Sequence, residues 1–163
     1  MNRKLFAACL GGLTLLALSA CAKDNSADNT AAVELTTYKS ATCGCCKLWV
    51  KHAEDLGFAV TARDVDDLGA VKNRHGIDPQ FQSCHTSVTG DGYVFEGHIP
   101  AKLIRRFLQN PPVGARGLAV PAMPLGSPGM EYKDKFTPYQ VWQLNRDGSR
   151  EVYTEITTAA EQF

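Results

Sequence analysis

The sequence predicts an α/β domain: a mixed sheet flanked by helices, then a Pro/Gly-rich loop carrying methionines, then a C-terminal β-hairpin. Three observations predict it. From Val33 to His75 the hydrophobic pattern alternates strand, helix, strand, helix, which implies a parallel start to the sheet. Two short β-rich runs then flank the turn Gly90-Asp91-Gly92, which adds an antiparallel edge. Beyond residue 112, Pro121, Pro124, Pro128 and Pro138 recur among glycines before the β pattern returns. The 163 residues are 44% apolar and 21% charged, enough for one core and unlike a disordered, collagen-like or coiled-coil chain.

The N-terminus reads as a processing segment. Arg3 and Lys4 precede an apolar run from Leu5 to Leu18, short for a bilayer span. Leu18-Ser19-Ala20-Cys21 follows and resembles the lipobox of bacterial lipoproteins, in which the cysteine is lipidated after cleavage. A plain secretory signal and an uncleaved anchor are the alternatives. The expected organisation is a signal peptide over 1–20, a flexible tether over 21–32 and one domain over 33–163. Within that domain a core runs over about 33–110 and an extension over about 111–156. Eleven small polar residues, Ala22 to Ala32, have an r.m.s. reach of roughly 18 Å. Ala22 follows Cys21 in place of Asp, which by resemblance to the usual sorting rule implies outer-membrane delivery in a Gram-negative host.

The domain's elements follow in order. Val33–Tyr38 is β-rich. Leu48, Trp49, Ala53 and Leu56 recur at helical spacing from Cys45 to Leu56, and Gly57 stops the helix. Phe58–Val65 is a second strand. Asp66 or Asp67 caps a helix to His75, with Gly76 as its end. Phe81–Thr89 and Tyr93–Gly97 form the hairpin strands. Pro100 opens a helix with Leu103, Ile104, Phe107 and Leu108, closed by Asn110-Pro111-Pro112. Residues 113–139 are expected to form neither a long helix nor a central strand. Val141–Leu144 and Glu151–Ile156 flank Asn145-Arg146-Asp147-Gly148 as a terminal hairpin. The order β-α-β-α-β-β-α, with a cysteine pair between the first strand and first helix, resembles the thioredoxin fold over about residues 33–110.

Without residues 1–20 the chain keeps 15 basic against 17 acidic residues, so no basic excess recruits nucleic acid. Cleavage also removes Cys9, and lipidation takes Cys21. Four cysteines remain: Cys43, Cys45, Cys46 and Cys84. In an exported protein an even number suggests structural disulfides. The spacing argues otherwise. Cys43-Gly44-Cys45-Cys46 holds a C-x-x-C with an additional cysteine inside it, at a strand-to-helix junction where the helix N-terminus favours thiolate. Thiolate is both the redox nucleophile and the metal ligand. The plain alternative is a structural Cys43–Cys46 disulfide, although so small a loop constrains the unfolded chain little.

Cys84-His85-Thr86 stands where a thioredoxin-like fold normally carries a cis-proline facing the C-x-x-C. A thiol and an imidazole there are ligands for soft or borderline metals. The alternative is an unreactive buried cysteine beside a satisfied histidine. Met123 and Met130 share one Pro/Gly-rich loop without amphipathic periodicity; they read as thioether ligands selecting Cu(I) or as core filler. His98 reads as a further ligand or as a surface residue at a helix start. His52 and His75 read as structural.

The run C-G-C-C, then S-C-H-T, then E-G-H-I-P, then A-V-P-A-M-P-L-G-S-P-G-M-E resembles the CopG family of exported copper-resistance proteins, long catalogued as a domain of unknown function. The resemblance extends from about Val33 to Ile156. It implies a thioredoxin-like fold, Cu(I) bound through bridging cysteines in a multinuclear cluster, and a role in copper redox or handling. The family cysteines map onto Cys43, Cys45, Cys46 and Cys84. Four thiolates also suit tetrahedral zinc, but three within four residues differ from the spaced pairs of zinc sites. Crowded thiolates favour bridging, which shares their negative charge among several cations. The expected function is therefore a periplasmic Cu(I)-binding protein, with interconversion of Cu(I) and Cu(II) as an extension. The expected partners are copper ions, periplasmic copper-handling proteins and, through the N-terminal lipid, a membrane. The alternatives are a thiol–disulfide oxidoreductase using Cys43 and Cys46, and a lipid-anchored module whose cysteines merely pair.

Overall fold

The computed structural model describes residues 32–163. The signal segment, Cys9, the lipobox with Cys21 and nearly all of the tether lie outside them. Seven strands, β1 (Val33–Lys39), β2 (Phe58–Asp64), β3 (His85–Val88), β4 (Val94–Glu96), β5 (Ala115–Ala119), β6 (Tyr139–Asn145) and β7 (Arg150–Ile156), form one sheet in the order β2-β1-β3-β4-β5-β6-β7. Two pairs are parallel, β1 with β2 and β4 with β5; the others are antiparallel. Three helices accompany the sheet: α1 (Gly44–Asp55), α2 (Leu68–Arg74) and α3 (Ala101–Gln109). The expected mixed α/β class, compatible with a thioredoxin-like sheet and its helices, is what the chain adopts. No helix among the described residues is long and apolar enough to cross a membrane.

Side chains alternate across the sheet and define two packed layers. On one face Trp49 and Ala53 of α1 and Leu103, Ile104 and Phe107 of α3 pack with Leu35, Phe95, Leu118 and Val141. On the other, Ile77 and Phe81 pack with Val94, Ala119 and Leu144. Val94 and Phe95, adjacent in β4, thus serve opposite clusters. Each large side chain so buried contributes about 1.5–3 kcal/mol. Leu48, expected on the apolar side of α1, instead faces solvent at 58% exposure.

Three expectations need correction. The first hairpin strand does not run from Phe81: Pro79–Phe81 is a 3₁₀ turn capped by Asp78, and β3 begins only at His85. The Ser83 N–H is taken by the Glu96 side chain rather than a sheet ladder. The β3–β4 hairpin is not an edge but the centre of the sheet, because β5 pairs with β4. Nor is residues 113–139 without a central strand. Ala115–Ala119 lies between the prolines, is largely apolar, and inserts between β4 and β6. Gly117 makes this possible: a Cβ there would stand 1.7 Å from the Val94 carbonyl oxygen. The terminal hairpin forms as expected, β6 against β7.

Candidate metal centre

The topology gathers four chain segments at one end of the sheet. β1 runs out at Lys39, and four residues later Cys43 caps α1, its sulfur accepting the Cys46 N–H at 3.3 Å. Lys39 pairs with His85 at the start of antiparallel β3, so Cys84 lies beside the first turn of α1. Thr86 pairs with Glu96 in β4; two residues outward along each strand, Cys84 meets His98. β5 runs parallel to β4, so the loop after it emerges at the same end.

The result is a cluster of sulfur and nitrogen. The sulfurs of Cys43, Cys45, Cys46 and Cys84 all lie within 4.8 Å of one another, and Cys84, His85 and His98 form a second group on the same criterion. Cys43 and Cys46 are joined by a disulfide, leaving Cys45 and Cys84 as free thiols. The Cys45 sulfur is 3.5 Å from that of Cys43. The Cys43–Cys46 pairing weighed for the C-x-x-C is thus formed in this structure.

His98 is fully buried, not a surface residue. Its Nδ1 donates to the Pro128 carbonyl at 2.7 Å, which leaves Nε2 as the acceptor, 2.8 Å from the Cys84 sulfur. Burial lowers the His98 pKa, against the opposing pull of the Pro128 carbonyl and Glu131. Burial first, and neighbouring Cys45 second, push the Cys84 thiol up to about 12. The contact is thus a neutral S–H donating to a neutral imidazole. His85 is also fully buried; its Nδ1 is 3.3 Å from the Cys84 sulfur, and its ring packs 4.5 Å from that of Trp49. Trp49 is itself held by its indole N–H on the Ile99 carbonyl, 2.9 Å. Burial, then His98 and Lys72, depress the His85 pKa well below its ordinary value.

The residues fit a soft cation. Thiolates, formed as the free thiols lose their protons, and neutral imidazoles are its ligands. The Nε2 of His85 is buried with no hydrogen-bond partner, a condition that costs about 1–3 kcal/mol unless something binds there.

The methionine loop reaches the same region through its backbone. A Cβ on Gly129 would stand 2.7 Å from the Cys45 carbonyl oxygen and 2.8 Å from the Trp49 nitrogen, so this segment lies directly on α1, with Met130 following. Ala122 exchanges hydrogen bonds with Gln82 and Ser83, which places Met123 near the Cys84 segment with 50% of its surface exposed. His52 accepts the Ala101 N–H and packs on Phe163; His75 ends α2.

Sequence reasoning missed Glu96 and Lys72. Both are buried and form an ion pair beneath the Cys84 segment. The signal was a carboxylate closing the otherwise apolar run Val94-Phe95-Glu96.

A mixed sheet carrying a C-x-x-C at a helix start, faced by a Cys-His strand end, is compatible with a thioredoxin-like fold in which the C-x-x-C lies among cysteines and histidines that could hold a metal ion. The profile of a family described as a protein of unknown function, DUF411, matches residues 81–130. Two solved structures described as copper resistance protein CopG, form 2 and form 1, share 43% identity with the chain. Each match covers 77% of this chain and 98% of that one, with TM-scores of 0.73 and 0.72. No curated protein matches the chain. The chain belongs to the CopG family.

Proposed function

We propose that the chain is an exported copper-binding protein of copper resistance, working in the periplasm and anchored through a lipid on Cys21. It holds more than one Cu(I) between the α1 and β3 segments, using Cys43, Cys45, Cys46 and Cys84, with His85 and His98 completing the set. Met123 and Met130 are neutral, weaker thioether ligands. The observation carrying this reading is the convergence of four sulfurs within 4.8 Å, with two buried imidazoles beside Cys84.

The Cys43–Cys46 disulfide withdraws two of those ligands. Opening it takes up two electrons and two protons. Closing it returns them, enough to reduce two Cu(II) to Cu(I). The same pair can therefore set both the copper capacity and the copper oxidation state. The test is anaerobic Cu(I) titration of the reduced and disulfide forms. The reduced chain should bind more than one Cu(I) with a thiolate-to-copper absorption band, and the disulfide form fewer.

A second reading rests on that disulfide at the start of α1: a thiol–disulfide oxidoreductase with Cys43 as nucleophile and Cys46 as resolving thiol. One copper or less per reduced chain, together with brisk reduction of insulin, would favour it.

A further inference from the structure

The Glu96 carboxylate is fully buried and serves three donors. Its Oε1 accepts the backbone N–H of Ser83 at 2.7 Å and pairs with the Lys72 ammonium; its Oε2 accepts the Thr86 hydroxyl at 2.6 Å. Lys72 also donates to the Thr86 hydroxyl at 3.2 Å. Ser83 and Thr86 bracket Cys84 and His85. The carboxylate thus grips the chain on both sides of the two ligands carried by the β3 segment. The Ser83 hydroxyl donates in turn to the Ala122 carbonyl, joining the methionine loop to the same grip. Gly97 allows the approach: its φ is +79°, and a Cβ there would stand 2.4 Å from the Val120 oxygen and 2.6 Å from the Ser83 side chain.

A buried ion pair is a poor stabiliser. Its desolvation offsets most of its attraction, and apolar replacements of similar volume are often neutral or better. Core packing therefore does not explain why Lys72 and Glu96 stand where two apolar side chains would serve. Residues 82–84 precede the β3 ladder: the Gln82 carbonyl takes the Ala122 N–H, and the Ser83 N–H finds its acceptor in the Glu96 carboxylate.

We infer that Glu96, charge-balanced by Lys72, is a positioning residue for the copper site: it fixes the Ser83–Thr86 segment so that Cys84 faces the cysteines of α1 and His85 faces Cys84 and His98. The inference rests on the copper-binding reading and adds a residue that touches no metal. Releasing the grip frees the Cys84 segment without removing a ligand.

The test uses two paired variants of the full chain. K72M/E96Q removes both charges but keeps an oxygen for the Ser83 N–H and an amide for the Thr86 hydroxyl. K72M/E96L removes both charges and the grip, leaving no unpaired buried charge to unfold the protein. Two readouts are taken: anaerobic Cu(I) per reduced chain, and the alkylation rates of Cys84 and Cys45 in metal-free protein, resolved by peptide mass spectrometry. K72M/E96Q should match wild type in both. K72M/E96L should melt near wild type, fall to the copper count of Cys84→Ser, and alkylate several-fold faster at Cys84 with Cys45 unchanged. Wild-type copper count and Cys84 alkylation in K72M/E96L would overturn the inference. If wild type itself binds no Cu(I), the copper reading fails, while the alkylation comparison still decides whether Glu96 positions Cys84.

Discussion

Cys84 is the residue on which the two halves of the site meet. Its thiol, raised to about 12 by burial and then by Cys45, is protonated at neutral pH and donates to His98. A metal taken up through this sulfur must displace that proton. Copper affinity therefore rises with pH across the neutral range and falls on acidification, by about tenfold per unit for each proton released. Competition titrations at several pH values measure that slope. Cys84→Ser keeps a hydroxyl for His98, so folding persists, and it should lower the Cu(I) count per chain rather than the affinity alone. An unchanged count alongside a Cys43→Ser variant that binds nothing would confine the metal to the C-G-C-C turn. The C-G-C-C and Cys84-His85 segments were legible as candidates from residue type and spacing, whereas His98 stayed open between a ligand and a surface residue until the fold set it beside Cys84. The Lys72–Glu96 pair was not: charged residues on a short helix and at a strand end ordinarily face water, and only the pairing of Thr86 with Glu96 shows these two buried together.

At the scale of elements, the site depends on strand ends rather than on any one loop. α1 was readable from helical spacing, though its capping by Cys43 was not, and the Gly90–Gly92 turn marked the hairpin. β5 escaped because flanking prolines suggest loop, whereas Gly117 supplies the close approach that lets an irregular strand enter the centre of the sheet. That strand carries the chain back to the cysteine end of the sheet, where the Pro128 carbonyl orients His98 and Gly129 settles on α1. Met130→Leu keeps the side-chain volume and removes the thioether. It should cost less than about 1.5 kcal/mol in denaturant melts, and weaken Cu(I) binding less than Cys84→Ser does.

For the whole molecule, the sheet continues through β6 and β7, so the expected core and extension form one continuous platform. The lipid anchor proposed on Cys21 would hold this platform close to a membrane. Cys21→Ala should release the protein to the soluble periplasmic fraction or block its processing. Normal cleavage with unchanged membrane fractionation would refute the anchor.

Whether cysteines from two separate segments bridge several copper ions is decided by copper X-ray absorption of the reduced, Cu(I)-loaded chain. Bridging gives a sulfur-dominated coordination shell with a copper–copper scattering shell behind it, the latter weakened in Cys84→Ser. A coordination shell of sulfur or nitrogen with no copper neighbour in the fully loaded wild-type chain would contradict it.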